Sequence, residues 1–310
     1  MSQRILVLGA GGVGGYFGGR LAEGGADVTF ALRPARRKQI DARGIVIHSD
    51  FFDDASVSVN TVAAEAIKGP YDLVIVACKA YHLGDVMETI APAVGDNTAI
   101  LPLLNGIKQI DLLQDRFGAD KVLGGTCYIG ARVDAETGDI VHFGDFHRIA
   151  YGEMDASLSP RVEAFAALND AMKFDIDLRD NIEQALWDKF AMLCAMSSVN
   201  TISRATVGEI LATPSGHEFL TAALIECRDT AAALGHIVSP ATIATYEKMF
   251  STQGSKFASS MLRDVQANKP SEGDHIIGDM VDRAQAAGLH TPIMLAARAG
   301  LAVHESRVAD

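Results

Sequence analysis

Short apolar runs bounded by glycine or charge fill the first half of the chain, and helical periods fill the second. RILVLGA (4–10) is a β-rich run that ends in glycines, which predicts a strand. GVGGYFGGRLAEGG (12–25) then brings Val13, Phe17 and Leu21 onto one helical face. DVTFALR (27–33) predicts a second strand. GIVIHS (44–49) and ASVSVNTV (55–62) predict a strand pair inserted after the next helix. YDLVIVACKA (71–80) has the continuous apolar character of a strand covered on both faces, and TAILPLLNG (98–106) reads the same way. KVLGGTCYIGARV (121–133) and GDIVHFGDFHRIAYGE (138–153) predict later strands. Strands and helices thus alternate to about residue 178, the pattern of an open sheet with helices on both faces.

From Asn181 the periodicity is helical, over 183–200, 215–235, 240–251, 273–287 and 291–304, with no strand predicted. Pro214 stops one helix, and Ser215 is placed to cap the next. Thr291 as cap and Pro292 at the first helical position open the last one. At roughly 150 residues per domain, 310 residues suit two domains. The expected layout is an α/β domain over 1–178 followed by an all-α domain over 179–310.

Charge narrows the partners. A formal net charge of -12 argues against non-specific binding to nucleic acid or to an anionic membrane surface. It leaves room for a small anionic ligand, which needs only a local positive cluster. The four cysteines, Cys78, Cys127, Cys194 and Cys227, form no CxxC, and Cys78 and Cys194 sit inside apolar runs. Buried reduced thiols in a cytoplasmic protein are expected. The opening MSQRILVLGAGG lacks a basic region, a long apolar region and a cleavage site, so no targeting segment is expected. No stretch of about 18 charge-free apolar residues predicts a membrane span. The nine histidines show no HExxH spacing; His142 and His147 flank FGDF without a third ligand, so no metal site is expected.

The glycine loop carries the first chemistry. Gly9, Gly11 and Gly14 form GxGxxG directly after a strand and at the opening of a helix, the context in which the pattern binds a dinucleotide. Gly9 permits the tight turn, Gly11 lets a pyrophosphate approach the backbone, and Gly14 lets helix and strand pack closely. The backbone of Gly9, Gly11, Gly12, Val13 and Gly14 would receive the diphosphate at the positive end of the helix dipole. The α/β domain is therefore expected to be of Rossmann type. An NAD-binder usually ends its second strand with Asp or Glu on the ribose 2′-hydroxyl. Here Arg33 stands there, with Arg36, Arg37 and Lys38 behind it. A guanidinium pairs with a 2′-phosphate and a carboxylate repels it, so NADP(H) is the expected cofactor.

ALWDKFAMLCAMSSVN (185–200) poses the second question: it holds the only tryptophan, Trp187, and a single lysine, Lys189, on an otherwise apolar helix. One reading is a lysine whose stem covers apolar surface while its ammonium reaches water. The other follows from a resemblance. With the glycine loop, Arg33, Lys79 in ACKAY, Asn105 in LLNG, Lys189 in WDKF, Ser260 and Glu272 in SSMLRDVQANKPSEGD, and HTP at 290–292, the chain resembles the ketopantoate reductases (2-dehydropantoate 2-reductases) nearly end to end.

The resemblance implies a Rossmann domain joined to a helical domain, with substrate in the cleft between them. It implies NADPH-dependent reduction of 2-dehydropantoate to pantoate, a step of pantothenate biosynthesis. It places Lys79 beside the cofactor's phosphate or ribose, and Asn105 near the nicotinamide and the reacting carbonyl. Lys189 matches the family's catalytic lysine, Ser260 the serine that holds substrate, and Glu272 the carboxylate near that lysine and the cofactor. The chemistry agrees: hydride reaching a ketone carbon leaves charge on oxygen, and a donor must meet it and deliver a proton.

The chain also departs from the family. Lys189, Leu193, Met196, Ser197 and Asn200 share one helical face. The ketopantoate enzymes carry asparagines at the places of Leu193 and Ser197, and another at the place of Val207. Ser197 and Asn200 are the polar groups left on this face to hold substrate. Three readings result: a ketopantoate reductase, an NADPH-dependent reductase of a more apolar 2-oxo acid or ketone, or an NADPH-binding regulatory protein without turnover. The apolar helical domain is a candidate homodimer interface, which an ordinary core explains equally well.

Overall fold

The computed structural model describes residues 3–308. The chain divides into two compact units: one comprises residues up to 104 and 109–183, the other residues 105–108 and those from 184. The sequence placed the boundary at 178/179; the structure moves it a few residues on and gives Asn105–Lys108 to the helical unit.

In the first unit, β1 (Arg4–Leu8), α1 (Gly12–Glu23), β2 (Asp27–Leu32) and α2 (Pro34–Arg43) follow one another as expected. β3 (Ile45–Ser49), β4 (Ala55–Val57) and β5 (Asn60–Ala63) come next. The expected 55–62 strand is thus two strands in different sheets. β4 pairs antiparallel with β3, while β5 pairs parallel with β2. Then come β6 (Leu73–Val76), α3 (Leu83–Ile90), β7 (Ala99–Pro102) and α4 (Lys108–Phe117). β8 (Gly124–Val133), β9 (Ile140–Gly152), α5 (Pro160–Ala166) and β10 (Asp175–Leu178) complete the strands.

The first sheet is parallel, in the order β5-β2-β1-β6-β7. The apolar runs of its middle strands are covered on both faces; Ile5–Leu8 and Leu73–Val76 are all buried. Leu8 lies level with Ala31 and with Val76, so the segments after β1, β2 and β6 leave the sheet along one edge. The second sheet is mixed, in the order β10-β9-β3-β4, with β8 antiparallel to β9. α1 packs on strands of both sheets through its glycines. A Cβ at Gly15 would lie 2.6 Å from Ile140 Cδ1, and one at Gly19 would lie 2.9 Å from Ile45 Cγ2. On the first sheet, a Cβ at Gly18 would lie 2.5 Å from Phe30 Cζ, so three of the five glycines in GVGGYFGG serve this double packing.

The second unit is helical: most of α6 (Ile182–Ser203), then α7 (Val207–Leu211), α8 (Gly216–Ala233), α9 (Pro240–Met249), α10 (Ser260–Gln266), a π-helical turn (Asp274–Gly278), α11 (Asp279–Ala286) and α12 (Pro292–Val308). Thr206 and Glu209 form a capping box on α7. Two expected caps are served differently. Ser215 makes no side-chain cap on α8. At α12 it is the Glu226 carboxylate that accepts the N–H groups of Ile293 and Met294, each at 3.0 Å. No helix among the described residues is long and apolar enough to cross a membrane.

Candidate active site

The loop from β1 into α1 is built to face an anion. Gly9 has φ +97°, a conformation open to glycine, and a Cβ there would press on the Ala77 carbonyl. A Cβ at Gly14 would run into the Gly9 carbonyl oxygen, so helix and loop meet only because Gly14 lacks one. A Cβ at Gly11 would meet no atom within 4 Å, which leaves the backbone there open to a ligand. The first helical bond of α1 runs from Gly15 N to Gly11 O at 2.8 Å. The N–H groups of Gly12, Val13 and Gly14 thus have no helical acceptor, and no side chain caps them. No acidic residue lies in the first turn. These features fit a diphosphate.

The basic cluster after β2 separates into parts. Arg33 is exposed at the N-cap of α2, and its Nη2 donates to His82 Nδ1 at 3.4 Å. Arg36 turns inward: Nε and Nη2 donate to the Ala10 carbonyl, and Nη1 donates to the Gly138 carbonyl at 2.6 Å. Burial holds its pKa below the usual arginine value. Arg37 donates to Thr61 and pairs with Asp41. Arg33 and Lys38 are the two that remain exposed. Lys79, partly buried, follows β6 on the same edge of the sheet, ahead of the exposed Tyr81 and of His82.

The helical unit carries the second group. Lys189, partly buried on α6, donates from Nζ to Asn105 Oδ1 at 3.2 Å. Two residues 84 apart in sequence are thus joined side chain to side chain, which a lysine that only covers apolar surface has no need of. Glu272 is 8% exposed at the start of the segment that becomes the π-helical turn. Such turns in a helical run recur at functional sites. Sequence periodicity gave no sign of this one, nor of His275 within it. Burial pushes the His275 imidazole down to about 4, with Lys108 adding to the shift.

The remaining candidates divide. Ser197 is fully buried and its Oγ has no hydrogen-bond partner. Leu193 and Val207 are buried and apolar. Asn200 is also fully buried, but both ends of its amide are used: Nδ2 donates to the Ala205 carbonyl at 2.8 Å, and Oδ1 accepts from Ser259 N at 3.0 Å. It ties the end of α6 to the start of α10, and this structural work takes the place of the substrate contact expected from its helical face. In the Ser259–Ser260 pair, Ser259 is buried and caps α10 through Leu262 N, while Ser260 opens the helix partly exposed. His142 and His147 lie elsewhere in a packed polar cluster. Ser49 Oγ donates to His142 Nδ1 at 2.9 Å, and Tyr16 donates to His147 Nδ1 at 2.6 Å.

Known proteins place this arrangement. The family described as ketopantoate reductase PanE/ApbA matches residues 5–156, and its C-terminal counterpart matches residues 181–301. The chain belongs to the ketopantoate reductase family. It is 34% identical to the uncharacterized oxidoreductase YkpB of Bacillus subtilis, over 98% of this chain and 99% of that one. It is 24% identical to a 2-dehydropantoate 2-reductase of Mesorhizobium japonicum, over 94% of each. Among solved structures it is similar to the 2-dehydropantoate 2-reductase of Geobacter metallireducens, with TM-score 0.86 and 26% identity over 97% of this chain and 99% of that one. The two-part layout, a Rossmann-like unit and a helical unit, is that of the family, and the family's members are oxidoreductases.

Proposed function

We propose that the chain is an NADPH-dependent reductase of 2-oxo acids, with 2-dehydropantoate to pantoate as the default reaction. The observation that carries this reading is the Lys189–Asn105 contact, because it fixes an ammonium at a defined place in a partly buried setting. NADPH, when bound, supplies the hydride. Arg33, exposed at the end of β2, would hold its 2′-phosphate, and the bare N–H groups of α1 would hold the diphosphate. Lys79 would face its phosphate or ribose.

On substrate, the Lys189 ammonium, which also donates to Asn105, would donate an N–H to the carbonyl oxygen. As negative charge grows there, Lys189 would stabilise it and then transfer a proton to oxygen, completing the alcohol. Asn105 would hold the ammonium in line. Glu272, buried in the same unit, would contribute an opposite charge to the site. Ser197 and Ser260 would offer hydroxyls to substrate. All four cysteines are free thiols, which suits a reducing compartment such as the cytoplasm.

A second reading keeps the chemistry and changes the substrate. Leu193 and Val207, both buried and apolar, favour a 2-oxo acid without the hydroxyl of 2-dehydropantoate. NADPH consumption with a panel of 2-oxo acids tests both readings. Highest kcat/KM for 2-dehydropantoate supports the default, and a higher value for an alkyl 2-oxo acid supports the second. No turnover with any of them, alongside tight NADPH binding, would leave only a regulatory role.

A further inference from the structure

Lys108 has no role in the reaction described above. The helical unit takes up Asn105–Lys108, where the chain bends around Gly106 at φ +92°. Lys108 therefore follows three residues after the amide that Lys189 holds. It opens α4, where the positive end of the helix dipole opposes a cation. The side chain is partly buried and its ammonium makes no hydrogen bond or ion pair among the described residues.

Its field is felt at His275. Glu272 and His275 are three apart on a helical segment, so they lie on one side of it. Burial depresses the imidazole to about 4, Lys108 depresses it further in the same direction, and Asp274 opposes. At neutral pH His275 is uncharged. Nearby acids are engaged elsewhere: Asp274 pairs with Arg298 at 3.2 Å, and Asp279 pairs with Arg283 at 2.9 Å. Asp188, next to Lys189 in sequence, accepts from Ser239 and Gln184. Lys108 is thus left without a counter-ion among the described residues. A partly buried charge without a counterpart is costly unless an anion meets it.

We propose that Lys108 binds the carboxylate of the substrate, as an ion pair, while Lys189 faces the neighbouring ketone oxygen. In a 2-oxo acid the two oxygen-bearing carbons are directly bonded, so two lysines linked through the Asn105–Lys108 bend suit one such molecule. One unpartnered ammonium suits one carboxylate, and Leu193 and Val207 suit an apolar remainder. The substrate class is thus an alkyl 2-oxo monocarboxylate. This inference rests on the reading of the site as a 2-oxo acid reductase.

The test compares 3-methyl-2-oxobutanoate with its methyl ester, which keeps ketone and alkyl group and lacks the charge. The wild type, Lys108→Met and Lys108→Arg are assayed with NADPH. Lys108→Met is expected to raise KM for the acid roughly 30-fold or more, as when one partner of a desolvated ion pair is removed. Its kcat should change little, the ester should react as with wild type, and Lys108→Arg should recover most of the loss. Equal loss on acid and ester would mean a structural role, and no loss on the acid would mean no contact; either overturns the proposal. Calorimetric titration of the acid into the NADP⁺ complex reads the contact without turnover. Lys108-dependent binding there, with wild type reducing neither this acid nor 2-dehydropantoate, would support the contact and refute the reductase reading. Turnover by wild type with binding indifferent to Lys108→Met would refute the contact alone. A wild type that neither binds nor reduces the acid overturns the proposal, and the reductase reading falls with it only when 2-dehydropantoate is not reduced either.

Discussion

Arg33 stands where an NAD-binding strand usually ends in a carboxylate, and its guanidinium is exposed. NADPH is expected to bind at least about tenfold more tightly than NADH, or roughly 1.4 kcal/mol. Arg33→Asp should erase or reverse this ratio, measured as the two dissociation constants; equal affinities in the wild type would remove Arg33 from the cofactor site. Lys189→Ala is expected to lower kcat by about 10²-fold or more, the scale of a positioned acid, with NADPH affinity little changed. Near-normal turnover would return Lys189 to covering apolar surface. Residue type and order made Arg33, Lys189 and Asn105 legible as candidates. The partners of Arg36 and Asn200 were not legible, because the carbonyls of Gly138 and Ala205 that receive them are backbone groups. No sequence pattern advertises a free carbonyl.

At the scale of elements, the buried parallel strands and long helices were visible because their apolar patterns are long and regular. The break between β4 and β5 was not: ASVSVNTV alternates evenly through a point where the chain changes sheets. α10 was missed, and α7 was read only as the helix that Pro214 stops, because seven and five residues are too few to show a helical period. Their stop and start signals are side-chain caps from Thr206 and Ser259. The cap of α12 was assigned to its neighbour Thr291, and it comes from Glu226 on α8, 67 positions before Ile293. Glu226→Ala is therefore expected to lower stability by about 1–2 kcal/mol, the range of a lost cap, and Thr291→Ala much less. Denaturant midpoints of the two variants check this. Equal losses would restore the local cap.

Across the whole molecule, acid should be met first by the buried imidazoles. His142 and His147 in the first unit, and His275 in the second, all have pKa values lowered chiefly by burial. Their unfolded values lie near 6.5, so between there and the folded values the unfolded chain binds more protons. The stability they contribute is complete above about pH 6.5 and is lost as pH falls. For His275 the window extends down to about 4. Two effects run the other way. His48 is raised by Asp54 and Asp139, and so contributes stability that is lost as pH rises, but it is half-exposed and solvent screens it. The net charge of -12 also shrinks on acidification, which eases self-repulsion. Each buried imidazole can change stability by up to about 1.4 kcal/mol per pH unit, and three together should outweigh both. The denaturant midpoint is expected to fall between pH 7.5 and 5.5, about one unit to either side of that unfolded value. It should fall less in His142→Gln/His147→Gln, whose side chains keep polar atoms for Ser49 and Tyr16 and take up no proton. A wild-type midpoint that is flat over this range, or a slope the double variant leaves unchanged, would show that these rings are not held neutral by the fold.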